Sequence, residues 1–220
     1  MSMPAALSPE IEEHAGLMDR VYRRQRHIYD FTRKYYLFGR DRLIGQLALQ
    51  PSETLVEVGC GTARNLIAIA RRYPGARLFG LDASGAMLET ARAAVKRARL
   101  DHRIVLAQGL AEELSPVRFG VEHFDRVMFS YSLSMFPDWQ AALATGFAAL
   151  SPNGRVHVVD FGDLTGLGRI GRQVMLAWLR LFHVTPRVEF LASLEQVTRN
   201  HGGLTLLPGR YAFIFSGGKM

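Results

Sequence analysis

Two glycines at the end of an apolar run, in LVEVGCGTARN over residues 55–65, constrain this chain more than any other stretch. Gly59 and Gly61 follow a run that reads as a buried strand and precede a helical pattern. The backbone there has to turn sharply, and it can approach a ligand more closely than a Cβ would permit. Glu57 stands two residues ahead of the first glycine. The next apolar run, LFGLDAS, ends on Asp82, 21 residues after Gly61. An acidic residue at that distance is placed to accept hydrogen bonds from ribose hydroxyls. A dinucleotide loop of the form G-x-G-x-x-G wants a third glycine at position 64 for close packing on a pyrophosphate, and Arg64 stands there instead. That argues against NAD or FAD.

The rest of the chain repeats the same alternation. TLVEV is followed by a helical pattern over about residues 63–72, and ARLFGLD by another over about 87–98; RIVLAQ, FDRVMFSYS and GRVHVVDF read as further strands. Short apolar runs separated by helices predict a doubly wound, mostly parallel α/β sheet. The last stretch, LTLLPGRYAFIF, has two apolar runs joined by Pro208-Gly209 and predicts a terminal β-hairpin. With 220 residues and 48% hydrophobic content, the chain can bury one substantial core. The expected division is an N-terminal helical cap or lid over residues 1–50 and one compact unit over 51–220.

Charge is unevenly spread. Arg20 to Arg42 hold eight basic residues against Asp30 and Asp41, so a balance of +6 out of a total of +7 sits in one segment. Such a cluster points to an anionic partner or to a solvated helix face. No basic leader precedes an apolar core at the N-terminus, and no apolar run approaches the roughly 20 residues that span a bilayer. A soluble or peripheral protein is therefore expected. The single cysteine, Cys60, cannot form an internal disulfide and fits a reducing cytosol. No metal-ligand spacing stands out.

Taken in order, VEVGCGT, GLDAS, AQGLAEEL, FDRVMFSYSLS and LSPNGRVHVVD resemble the Rossmann-like, seven-stranded S-adenosylmethionine-dependent methyltransferases over residues 54–160. The resemblance implies S-adenosylmethionine as cofactor. It places Glu57 near the methionine amino group, Gly59, Cys60 and Gly61 beside the methionine portion, Asp82 on the ribose, and Ala83 and Met87 near the adenine, with Ser130 also in the cofactor site. Where the family often reads Gly-Asp-Ala, this chain has Gly109, Leu110 and Ala111, so adenine recognition is expected to lean on backbone groups.

The stretch RHIYDFTRKYYLFGRDRLI, with FSYSLSMFPDW, resembles more specifically the bacterial betaine-lipid methyltransferases, which trimethylate the amine of diacylglyceryl-homoserine. That resemblance implies a lipid substrate and a lid over the cofactor. At 3.6 residues per turn, Tyr22, Arg26, Tyr29, Arg33 and Tyr36 share one helical face. Arg26, Arg33 and Arg40 are then candidates for the headgroup carboxylate. Tyr29, Tyr36 and Tyr131 are candidates for holding the methylated nitrogen through cation–π attraction. His27, Tyr29 and Tyr131 are the candidate bases or relays. In RIGRQVMLAWLRLFH, Arg169, Arg172, Gln173, Arg180 and His183 form a polar stripe, which suits either an interfacial helix or a core-packing one. The expected setting is the cytoplasmic face of the membrane, with transient contact to anionic lipid and cooperation with a homoserine-transferring enzyme. Rival readings are a methyltransferase for a quinone precursor, a small amine or RNA, and a silent cofactor-binding subunit. RNA is disfavoured because no separate RNA-binding module is present and Ser130-Tyr131-Ser132-Leu133 replaces the Asn-Pro-Pro-Tyr type of tetrapeptide.

Overall fold

The computed structural model describes residues 37–198 and 203–218. The elements run α1 (Arg40–Gln46), β1 (Thr54–Val58), α2 (Arg64–Arg72), β2 (Arg77–Asp82), α3 (Gly85–Arg97), β3 (Ile104–Gln108), β4 (Phe124–Ser130), α4 (Trp139–Ala148), β5 (Leu150–Phe161), α5 (Gly168–Arg180), α6 (Val188–Thr198), β6 (Leu204–Leu206) and β7 (Ala212–Gly218). They build one seven-stranded sheet in the order β3-β2-β1-β4-β5-β7-β6. β1 to β5 are parallel, while β7 joins β5 antiparallel and β6 closes the edge against β7. The doubly wound sheet and the terminal hairpin are thus both present.

Local sequence accounts for most of these elements. Every residue of β1 is buried, as a central strand covered on both faces requires, and TLVEV supplies apolar and β-branched residues for it. α3 begins at Gly85 because the Ser84 hydroxyl accepts from the Met87 N–H at 3.2 Å, two residues ahead of the start expected from periodicity alone. Its Leu88, Ala91 and Val95 then bury along one stripe, while Lys96 and Arg97 close the last turn against the helix dipole. Two helices escape the sequence reading. α4 is capped by Asp138, whose carboxylate accepts from the Ala141 N–H at 2.9 Å, and α6 follows Arg187.

Helices cover both faces. On one side α1, α2, α3 and α5 bury Leu43, Leu66, Leu88 and Leu179 with Met128, Val159 and Ile214 of the sheet. On the other, α4 and α6 bury Trp139, Ala142, Phe190 and Leu194 with Val127, Phe129, Phe213 and Phe215. Of the expected cap, residues 37–50 are described. Leu37, Leu43, Ile44, Leu47 and Leu49 pack into the same core as the sheet. Among the described residues no helix is long and apolar enough to cross a membrane.

The sheet order reverses between β1 and β4, whose outward connections run to opposite sides. Their carboxyl ends therefore leave a crevice, the usual ligand position of an open α/β sheet.

Candidate functional site

The glycine loop lies at that crevice. The N–H groups of Gly59 and Cys60 both donate to the Leu81 carbonyl, at 2.8 and 3.0 Å, which folds the loop back across β2. Gly59 has φ +75°, and a Cβ built there would stand 2.7 Å from the Ser132 Cβ and 3.1 Å from the Phe136 ring. Glycine is thus required twice, by the backbone and by the neighbouring loop. Asp82 ties the next connection to this one: its Oδ2 accepts from the Gly61 N–H at 2.7 Å and its Oδ1 from the Ser84 N–H at 2.9 Å. A carboxylate at this position, at the end of β2 and beside the glycine loop, is of the type that accepts ribose hydroxyls.

Two adjoining hollows open from the loop. One is lined by Gly59, Gly61, Asp82, Ala83, Gly109, Leu110, Ala111 and Glu112, with Tyr131, Ser132, Met135 and Phe136 opposite. The other is lined by Arg40, Glu57, Gly59, Cys60, Asn65 and Ser130. Glu57 is only 1% exposed, and its Oε1 accepts from Asn65 Nδ2 at 2.7 Å. It brings a buried negative charge to the second hollow, where an ammonium group fits. Cys60 contributes backbone there: burial, reinforced by the charges of Asp82 and Glu57, pushes its thiol well up and leaves it protonated.

Several predicted residues take other places. Met87 is buried beneath Met135 and Phe182 and does not line either hollow, because α3 turns that face inward. Glu112, which the sequence reading passed over, brings a carboxylate to the wall where Leu110 replaces the expected aspartate. Tyr131 is 1% exposed. Its hydroxyl donates to the Phe38 carbonyl at 2.5 Å and its ring packs edge-on against Phe161. Burial, with Tyr211 and Asp160 nearby, pushes this phenol well above its ordinary range. It fastens the segment before α1 to the sheet, while the residue also lines the first hollow. Arg40 lines the second hollow rather than a separate headgroup site. Arg26, His27, Tyr29, Arg33 and Tyr36 lie outside the described residues.

The wall opposite the glycine loop is the Tyr131–Pro137 connection, and the sequence reading missed what holds it. Asp160, buried at the end of β5, accepts from the N–H groups of Ser134 at 3.0 Å and Phe161 at 2.8 Å. Burial raises its carboxyl to about 6, partly countered by the Ser134 hydroxyl, by those backbone hydrogen bonds and by Arg187. From the far side, Arg187 donates through Nε to the Leu133 carbonyl at 3.0 Å and through Nη2 to the Phe136 carbonyl. A carboxylate and a guanidinium grip one loop from two sides. No local pattern announces this, since the three residues are brought together only by the sheet.

Comparison with known proteins now bears on this geometry. Residues 55–154 match a family described as a methyltransferase domain. The chain is 30% identical over 185 residues to the ubiquinone/menaquinone biosynthesis C-methyltransferase UbiE of Syntrophotalea carbinolica, covering 80% of this chain and 71% of that one. The chain belongs to the class I S-adenosylmethionine-dependent methyltransferases. A demethylmenaquinone methyltransferase of Thermus thermophilus is 29% identical over 138 residues, and this methyltransferase spans only 60% of that relative's length. In fold it is similar to the apo form of the S-adenosylmethionine-dependent methyltransferase SibL (TM-score 0.66, 24% identity, covering 87% of this chain and 57% of that one). It is equally similar to a putative methyltransferase of Haloferax volcanii solved with the Trm112 activator (TM-score 0.66, 14% identity, covering 91% and 96%).

The cofactor is S-adenosylmethionine, and the two hollows fit it on their own geometry. Gly59 keeps free the space a side chain would fill, Asp82 would take the ribose hydroxyls, and Leu110, Ala111 and Glu112, along the same hollow, would bound the adenine. Glu57 and Arg40 offer opposite charges to the methionine ammonium and carboxylate.

Proposed function

We propose that this methyltransferase acts on a lipophilic acceptor, a quinone precursor methylated at a ring carbon. The observation that carries the reading is the 30% identity to the quinone-pathway C-methyltransferase over 80% of the chain. The acceptor side supports it, because Met135 and Phe136 give that wall an apolar surface suited to a flat ring. S-adenosylmethionine, when bound, supplies an electrophilic methyl group on a sulfonium.

The protein's own work is alignment. The Asp160 and Arg187 contacts hold Leu133, Ser134 and Phe136, so the wall that faces the acceptor keeps one position relative to the glycine loop. Fixing two reactants at contact distance and in line supplies a large part of the rate in such a displacement. Buried Ser130 and Ser132 hydroxyls, with no hydrogen-bond partner among the described residues, stand along the two hollows and suit an oxygen of the ring or the cofactor. The ring proton lost on methylation passes to water.

A second reading, the amine of diacylglyceryl-homoserine, is favoured by the motif RHIYDFTRKYYLFGRDRLI. It brings with it the homoserine-transferring partner. Its substrate residues lie mostly outside the described part, and Arg40, the one within it, faces the methionine hollow. The test incubates purified protein and methyl-labelled S-adenosylmethionine with a demethylated quinol, diacylglyceryl-homoserine and RNA in parallel. Label on the quinol ring carbon supports the proposal. Label on the lipid amine alone moves the assignment to the second reading, and label on RNA alone sinks both.

A further inference from the structure

Helix α5 divides its apolar residues between two opposite faces. The inner face places Met175, Leu176 and Trp178 against the core, and just past the helix Phe182 packs, like Met135 of the acceptor wall, against Met87. The Thr185 N–H donates to the Ser134 carbonyl at 2.9 Å, so the end of this helix is joined directly to the loop beside the site. The outer face is also apolar. Ile170 is 78% exposed, Val174 65% and Leu181 68%, with Leu167 at the head of the row. Their spacing of three, four and seven residues forms one continuous stripe. Arg169 and Arg180 flank it, exposed, and no acidic residue lies between Gly168 and His183. The polar stripe expected from sequence is therefore only part of the story: Arg172 turns back to donate to the Asp163 carbonyl, while Val174 joins the solvent side.

A soluble protein gains nothing from a row of three large aliphatic side chains in water, and a row edged by guanidinium groups is complementary to a surface that is apolar within and anionic at its rim. We infer that the face formed by Ile170 and Val174 of α5 and Leu181 at its C-cap seats the protein on an anionic lipid bilayer, with Arg169 and Arg180 at the headgroups and the acceptor wall beside the membrane. Aliphatic side chains enter the acyl boundary, and the arginines stay at the phosphates. The inference rests on the lipophilic acceptor proposed above in one respect only: it explains how such an acceptor reaches Met135 and Phe136 without crossing water.

The experiment uses the full chain and sedimentation with vesicles of phosphatidylcholine alone or with phosphatidylglycerol. Wild type is expected to bind the anionic vesicles more tightly. Combined Ile170→Ser, Val174→Ser and Leu181→Ser should weaken that binding about tenfold or more at both low and high salt. Arg169→Glu with Arg180→Glu should weaken it chiefly at low salt. All five positions are exposed, and unchanged thermal unfolding checks that the variants remain folded. Transfer to a detergent-dispersed acceptor should be unchanged in the serine variant, which separates loss of docking from a wrong acceptor. Wild type that ignores anionic vesicles overturns the inference, as does a serine variant that binds like wild type. A serine variant that converts a lipid-free wild-type dimer to monomer also overturns it, because a second copy would then be what covers the stripe.

Discussion

Asp160→Asn isolates the buried carboxylate that holds the acceptor wall. The side chain keeps its shape, but an amide offers one acceptor oxygen where two backbone donors, Ser134 N–H and Phe161 N–H, are aimed at it. One N–H then meets an NH2 group in a buried site, at a cost of about 1–3 kcal/mol. Against this stands the charge that the wild type must bury. The folded carboxyl titrates at about 6 rather than at its ordinary 3.8. Between those values the folded protein keeps a proton that the unfolded chain has released, so wild-type stability is fully present below about pH 4 and falls as pH rises through 6. At about 1.4 kcal/mol per pH unit the whole loss comes to roughly 3 kcal/mol. The amide has no such dependence. The variant should therefore be less stable than wild type by about 1–3 kcal/mol near pH 4.5, and the gap should close or reverse by pH 7.5. Urea unfolding of both proteins at four pH values reads the difference directly, since all other carboxylates titrate alike in the two and cancel. A gap that stays constant across the range would show that Asp160 carries no raised pKa, and the account of the wall would be wrong.

Two further outcomes follow from the cofactor side and the Tyr131 contact. Gly59→Ala forces a left-handed alanine, about 1–2 kcal/mol, and a 2.7 Å approach to Ser132; with Asp82→Ala, which removes ribose hydrogen bonds worth about 1.5–3 kcal/mol, it should weaken S-adenosylmethionine binding tenfold or more by calorimetry, and unchanged affinity in either folded variant would remove that residue from the site. Tyr131→Phe loses the hydrogen bond to the Phe38 carbonyl and should cost about 1 kcal/mol of stability with near-normal transfer; abolished transfer at full stability would return the phenol to catalysis.

The alternation of apolar runs and helical patterns, the two glycines and the acid 21 residues on were legible because each depends on neighbours in sequence. TLVEV can only be a buried strand, Gly59 and Gly61 turn where no other residue turns cheaply, and Pro208-Gly209 closes the hairpin by its own dihedral preferences. Those local facts pointed to a ribose-bearing cofactor at the loop, and the resemblance of the motifs taken in order implied S-adenosylmethionine. What sequence could not decide was anything that depends on which strands lie side by side. Tyr131 reads as a candidate relay or cation–π partner at the end of FDRVMFSYS, and the sheet brings its hydroxyl to the Phe38 carbonyl. Arg40 reads as a headgroup ligand, and the fold sets it in the same hollow as Glu57. Asp160, Ser134 and Arg187 carry no motif, because strand order alone brings a carboxylate from the end of β5 and a guanidinium from before α6 to one loop. The two faces of α5 share one periodicity, and only packing against the core determines that Trp178 and Phe182 are inside while Ile170, Val174 and Leu181 meet solvent. A helical pattern records which residues share a face, and burial of that face is decided by the rest of the molecule.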